Sequence, residues 1–229
     1  MAERPILFSA PMVRAILDGR KTQTRRVTKL QPRTKADIGH YGAGMPFIRN
    51  SDPLRPNLAC PFGQPGDRLW LRESWRSTVD LDQYSGSRIA EMCLDAGYSQ
   101  PWAPIQYEAD AARCNWMHTR TPPHDGAPLP GRYRHARFMP RWASRLLLGI
   151  TAVRIERLHD ISEADAIAEG IERREDATGD WAHYLDTGLT TDAVGSYRSL
   201  WELINGQESW RANPWVWVIE FERLEDRLR

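Results

Sequence analysis

The sequence predicts an α+β protein, a small curved β-sheet or barrel with short helices packed at its ends. Three observations predict it. Apolar runs rich in branched and aromatic residues recur at intervals, the clearest being "SRLLLGITAVRIERL" and "NPWVWVIEFE". Short segments of helical periodicity separate them, with capping residues before and glycines after. No internal repeat or low-complexity tract interrupts the pattern.

The elements follow in chain order. Ile6 to Phe8 is a short apolar run ending at Ser9, which suits an N-cap, and Pro11 sits in the first turn of the helix beyond it. Val13, Ile16 and Leu17 recur at helical spacing, and Gly19 supplies the stop. Thr22 to Val27 suits a strand with Thr22, Thr24 and Arg26 on one face; Lys21 has the wrong parity for that face unless the turn after Gly19 or a bulge reorients it. Residues 30–65, rich in proline, glycine and polar groups, read as a long ordered loop or insertion.

After a Gly66-Asp67 turn, Leu69, Leu71 and Glu73 alternate with Arg68, Trp70 and Arg72 in a strand. A second irregular region covers residues 76–137, with a short strand at "APIQYEAD" and the turn-rich "TRTPPHDGAPLPGRYRH". The "SRLLLGITAVRIERL" run reads as one or two long strands with a bend at Gly149. Ser162 can cap a short acidic helix ending at Gly170, and Val194, Tyr197, Leu200, Trp201 and Ile204 form a helical stripe stopping at Gly206. In the final strand Trp215, Trp217, Ile219 and Phe221 alternate with Val216, Val218, Glu220 and Glu222. The whole, residues 1–229, reads as a single domain with two insertions.

Composition excludes several function classes. Lysine and arginine number 31 against 30 acidic residues, so bulk electrostatic coating of nucleic acid is disfavoured and any nucleic-acid contact should be local. Three cysteines without a C-x-x-C pair fit a reduced cytoplasmic protein. Six scattered histidines show no ligand spacing, so neither a metal nor another cofactor is expected. No segment reaches transmembrane length, and no membrane partner is expected.

The stretch carrying most chemical information is "DGRKTQTRRV", Asp18 to Val27. A threonine hydroxyl is a weak nucleophile that needs a base beside it, and a lysine serves as one only when uncharged. Burial, or the neighbouring Arg20, Arg25 and Arg26, would lower the Lys21 pKa and supply that form. By spacing alone, a solvated strand face or a phosphate-binding patch explains the same residues. Other candidates for a pocket are Phe8, Ser9 and Pro11 at the head of the first helix. Glu73 is a polar residue on an apolar strand face, which must meet a buried partner or face a cavity. Arg141 and Trp142 together could stack on or clamp a nucleobase.

The order and content of "ILDGRKTQTRR", "PGDRLWLRESW", "ITAVRIERLHDISEADAIAEG" and "NPWVWVIEF" resemble the ASCH domain of the PUA-like superfamily, especially its larger phage and prophage members. The motif G-R-K-T-x-T-x-R is similar to that of the bacterial ASCH amidohydrolases that deacetylate N4-acetylcytidine. That resemblance implies a PUA-like fold, a small modified nucleoside as substrate, Lys21 as base and Thr24 as nucleophile. It also implies a glutamate acid in "ISEADAIAEG", with Glu169 the best match and Glu163 the second. Arg26 or a backbone amide would stabilise the oxyanion. The alternative is a non-catalytic ASCH module binding RNA or modified nucleic acid through Arg14, Arg20, Lys21, Arg25 and Arg26. The long insertions depart from the compact enzymes and bear on substrate identity.

Overall fold

The computed structural model describes residues 1–119, 127–173, 180–186 and 188–224. Residues 120–126 of the turn-rich stretch lie outside them. The chain runs β1 (Glu3–Leu7), α1 (Ala10–Leu17), β2 (Gln23–Val27), β3 (Ile38–His40), β4 (Pro46–Ile48), β5 (Leu58–Ala59), β6 (Arg68–Arg72) and β7 (Trp75–Arg76). It continues through α2 (Gly86–Asp95), β8 (Ile105–Tyr107), β9 (Arg113–Cys114), β10 (Leu147–Arg157), α3 (Glu163–Ala168), β11 (Trp181–Ala182), β12 (Leu189–Thr190), α4 (Ala193–Asn205) and β13 (Trp215–Leu224). The class is α+β. In place of a barrel the strands form several open sheets, none of which closes on itself among the described residues.

Two compact units are formed, the first by Met1–Ala2, Ala15–Arg68 and Leu148–Arg223, the second chiefly by Glu3–Arg14 and Leu69–Leu147. In the first unit β13 lies between β10 and β2, and it pairs antiparallel with β2 so that Thr24 faces Ile219 and Arg25 faces Val218. Val216 and Val218 pack with Leu158, Ile161, Ala166, Tyr197 and Trp201 in one apolar cluster, joining the strand to α3 and α4. Trp215, Trp217, Ile219 and Phe221 on the alternate positions are buried as well. The strand is therefore covered on both faces, where alternation alone predicts only one.

Helix α3 begins at Ser162, whose hydroxyl accepts the Asp165 N–H in a capping box, and α4 begins at Asp192, whose carboxylate accepts the Gly195 N–H. Glu163 on α3 also accepts the N–H of Ala193 at 2.8 Å, so this second-choice acid serves the start of α4. The first insertion is more ordered than a loop: β3, β4 and β5 make a three-stranded sheet, with the Phe47 ring lying against Gly39. Strands of two or three residues are too short to show a period in sequence.

In the second unit, β1 neighbours β6, and β7, β8 and β9 form a separate sheet. Trp75, Ile105, Tyr107, Met139 and Ala143 make its core. The strand expected in "APIQYEAD" is β8. Helix α2, unexpected from sequence, is capped by Ser85, whose hydroxyl accepts the Arg88 N–H, but buries only Gly86 and Ile89. Its apolar stripe is too thin to read. Where a bend was expected at Gly149, β10 runs unbroken.

Candidate functional site

The first unit brings the end of α3 against the start of β2. After α1 the chain turns at Gly19, which has φ +75°, and the N–H groups of Arg20 and Lys21 both donate to Ala15 O at 2.9 Å. Those bonds satisfy a helix-end carbonyl and fix Lys21. Thr22 N donates to Ala168 O, and Lys21 forms an isolated antiparallel bridge with Glu169. Gly170 is required beside them: its φ is +84°, and an added Cβ would lie 2.7 Å from Lys21 Cβ and 2.9 Å from Ala15 Cβ.

The result is a buried lysine–glutamate pair. Lys21 Nζ donates to Glu169 Oε2 and to Glu169 O, each at 2.8 Å, with the lysine side chain 0% and the glutamate 4% exposed. Arg25 Nη1 lies 3.3 Å from Glu169 Oε1, and Arg25 Nη2 reaches Glu156 at 2.5 Å and Asp165 at 3.3 Å. Arg154 extends the layer to Glu156, Asp165 and Glu220. Burial lowers the Lys21 pKa more than the Glu169 carboxylate raises it, and Arg26 and Arg25 push it the same way as burial. Burial likewise lowers Arg26, against the pull of Glu169, and drives the Tyr197 hydroxyl well above its ordinary value with the help of the Glu169 charge. A lysine held so is readied to give up its proton.

Thr24 is buried in the middle of β2. Gln23 and Arg25 on either side of it bond to Asp165 and Glu169, so strand alternation turns Thr24 to the other face, while the Arg26 guanidinium stays near enough for its charge to act on Lys21 and to feel Glu169. Lys21 precedes the strand and reaches Glu169 from the turn.

The remaining candidates lie in the second unit. Phe8 is buried and its N–H donates to Arg72 O, while Ser9 and Pro11 at the start of α1 are exposed. Glu73 has the buried partner its position demanded: Arg145 grips it bidentately, with Nε and Nη2 both at 2.9 Å, and bonds Asp110 as well. Arg141 pairs with Glu3 at 3.0 Å, and the Trp142 indole N–H donates to Gly86 O while its ring meets Trp75 edge-on. Both residues line a cleft of about 840 Å³.

Sequence reasoning left out Arg154, Glu156 and Asp165, and took Arg25 as a charge beside Lys21 or a phosphate contact rather than as a partner of Glu156 and Glu169. Their signal was the alternation of "VRIER", which sets Arg154 and Glu156 on one strand face. Compared with known proteins, the chain matches no family model, no curated sequence and no solved structure.

Proposed function

We propose that this chain is a PUA-like, ASCH-type amidohydrolase that removes the acyl group from N4-acetylcytidine or a related N4-acylated cytosine nucleoside in the cytoplasm. The supporting observation is the Lys21–Glu169 pair, a solvent-free lysine with a lowered pKa bonded at 2.8 Å to a buried carboxylate. A surface lysine offers no such base at neutral pH. Neutral Lys21 takes the hydroxyl proton of Thr24, whose oxygen attacks the amide carbonyl. As the C–N bond breaks, the proton Lys21 took from Thr24 passes through Glu169 to the departing cytosine amine, and water then hydrolyses the threonine ester to release the acid and restore the Thr24 hydroxyl. Arg26 steadies the oxyanion.

The alternation along β2 favours a variant of this route in which Lys21 deprotonates water directly and Thr24 only orients it. The products are the same. An acetyl group on Thr24 after acid quenching, read by intact mass, marks the covalent route; its absence during turnover marks the other.

The reading as a non-catalytic nucleic-acid module fits less well. Lys21 and Arg25, two of its five proposed phosphate contacts, are buried and answered by carboxylates. The test is to incubate the chelator-treated protein with N4-acetylcytidine and bulkier N4-acylcytidines and to quantify cytidine. Release by wild type and not by Thr24→Ala is expected. No release from any of these substrates would overturn the proposal.

A further inference from the structure

The second unit contains a cleft of about 630 Å³, within the ordinary range for small-ligand sites, lined by Arg72, Arg132, Arg134, Arg137, Tyr133 and Phe138. Ser85, Gly86 and Ser87 at the start of α2 also line it, and no carboxylate does. Elsewhere among the described residues, several buried or half-buried arginines are answered by acids: Arg25 by Glu156 and Glu169, Arg145 by Glu73 and Asp110, Arg76 by Glu108.

The four arginines of this cleft are not. Arg134 is 7% exposed, yet its Nη1 and Nη2 donate only to the carbonyls of Tyr84 and Leu81, and its Nε is buried without an acceptor. Arg72 donates to Arg137 O, lies 4.6 Å over the Trp70 ring, and also has a buried Nε without an acceptor. Arg137 lies 4.9 Å over Phe138, and Arg132 reaches an acid only through its backbone N–H, which donates to Asp82. Among the described residues none of the four makes an ion pair. Burial, then the charge of Arg132, lowers the Arg134 pKa, and the Asp82 carboxylate only partly offsets them. Buried positive charge of this kind is stabilised by an anion. Tyr133 and Phe138, 52% and 65% exposed, offer two ring faces at the same place.

We propose that this cleft binds a nucleotide, its phosphate held by Arg72, Arg132, Arg134 and Arg137 and its base stacked on Tyr133 or Phe138. Free nucleotide and single-stranded nucleic acid present the same phosphate and ring, and the experiment separates them. The site draws on no residue of the Lys21–Glu169 pair, so it stands or falls apart from the hydrolase reading.

The test titrates the full-length protein with a labelled oligouridylate of roughly ten nucleotides and with uridine monophosphate, at low and moderate salt. Arg132 and Arg137 are exposed, so the double variant Arg132→Ala/Arg137→Ala should keep the fold. Expected is binding that the double variant weakens roughly tenfold or more, with Tyr133→Ala weakening it further. Equal affinity for both probes assigns a free nucleotide. Tighter oligonucleotide binding, with a salt slope that falls by about 1.4 in the double variant, assigns a strand. Absence of binding by either probe at low salt, or wild-type affinity in the double variant, would overturn the proposal.

Discussion

Lys21 is the residue whose placement most needs a reason. Removing an ammonium group from water is costly, and a single carboxylate partner seldom recovers the whole cost. An apolar residue would serve packing better. If Lys21 is the general base, Lys21→Arg keeps a cation and length but cannot give a neutral base, and cytidine release should fall by about 10²–10⁴-fold with an unchanged circular dichroism spectrum. The pH dependence has a definite sign. Activity should rise with pH as Lys21 loses its proton, through an inflection below the ordinary lysine range. Because the folded lysine holds its proton less tightly than the unfolded one, the same titration should add stability as pH climbs toward the unfolded value. Glu169 is what holds the Lys21 pKa up, so NMR titration of Lys21 in Glu169→Gln should show a still lower value. In sequence, the "GRKTQTR" motif singled out Lys21 and Thr24 as candidates for chemistry. The charged layer around them was hidden, since Lys21 and Glu169 stand 148 positions apart and Arg25 and Glu156 stand 131 apart.

At the scale of elements, the site depends on α3 ending where it does. The Ser162 capping box starts the helix, and Gly170 ends it by taking a conformation open to glycine while leaving room for Lys21. Burial would raise the Asp165 carboxyl, but the Ser162 hydroxyl and the charges of Arg25 and Arg154 outweigh it and hold the group at about 2. Ser162→Ala should cost about 1 kcal/mol in urea unfolding, with little change in turnover. Gly170→Ala should cost about 1–3 kcal/mol and lower turnover too, because relief of the clash moves Lys21 from Glu169. Gly170→Ala with wild-type stability would contradict this role. These helix ends were legible because caps and glycines act locally. The small sheet of β3 to β5 was not, since its order comes from pairing and from Phe47 against Gly39, neither of which has a short-range signature.

At the scale of the molecule, each unit holds a buried charged network, and the two differ in kind. In the second unit Arg145 has two carboxylate partners, which raise its pKa against burial, and its guanidinium lies 4.0 Å over the Tyr107 ring. Within that Arg145–Glu73–Asp110 network the charges answer one another within hydrogen-bond distance, as a structural element requires. Glu73→Leu should therefore cost about 3 kcal/mol in denaturant unfolding followed by tryptophan fluorescence. The α+β class was legible from the strand and helix patterns, whereas open sheets in place of a barrel depend on pairings that periodicity does not encode.

The first unit's pair of Lys21 and Glu169 should behave in the opposite way. The most direct measurement is kcat/KM for N4-acetylcytidine together with Tm in the double variant Lys21→Met/Glu169→Leu. A pair kept for chemistry predicts that cytidine release disappears while Tm stays level or rises, as it often does when a buried ion pair is replaced by apolar groups. Release at the wild-type rate from that variant would contradict the assignment.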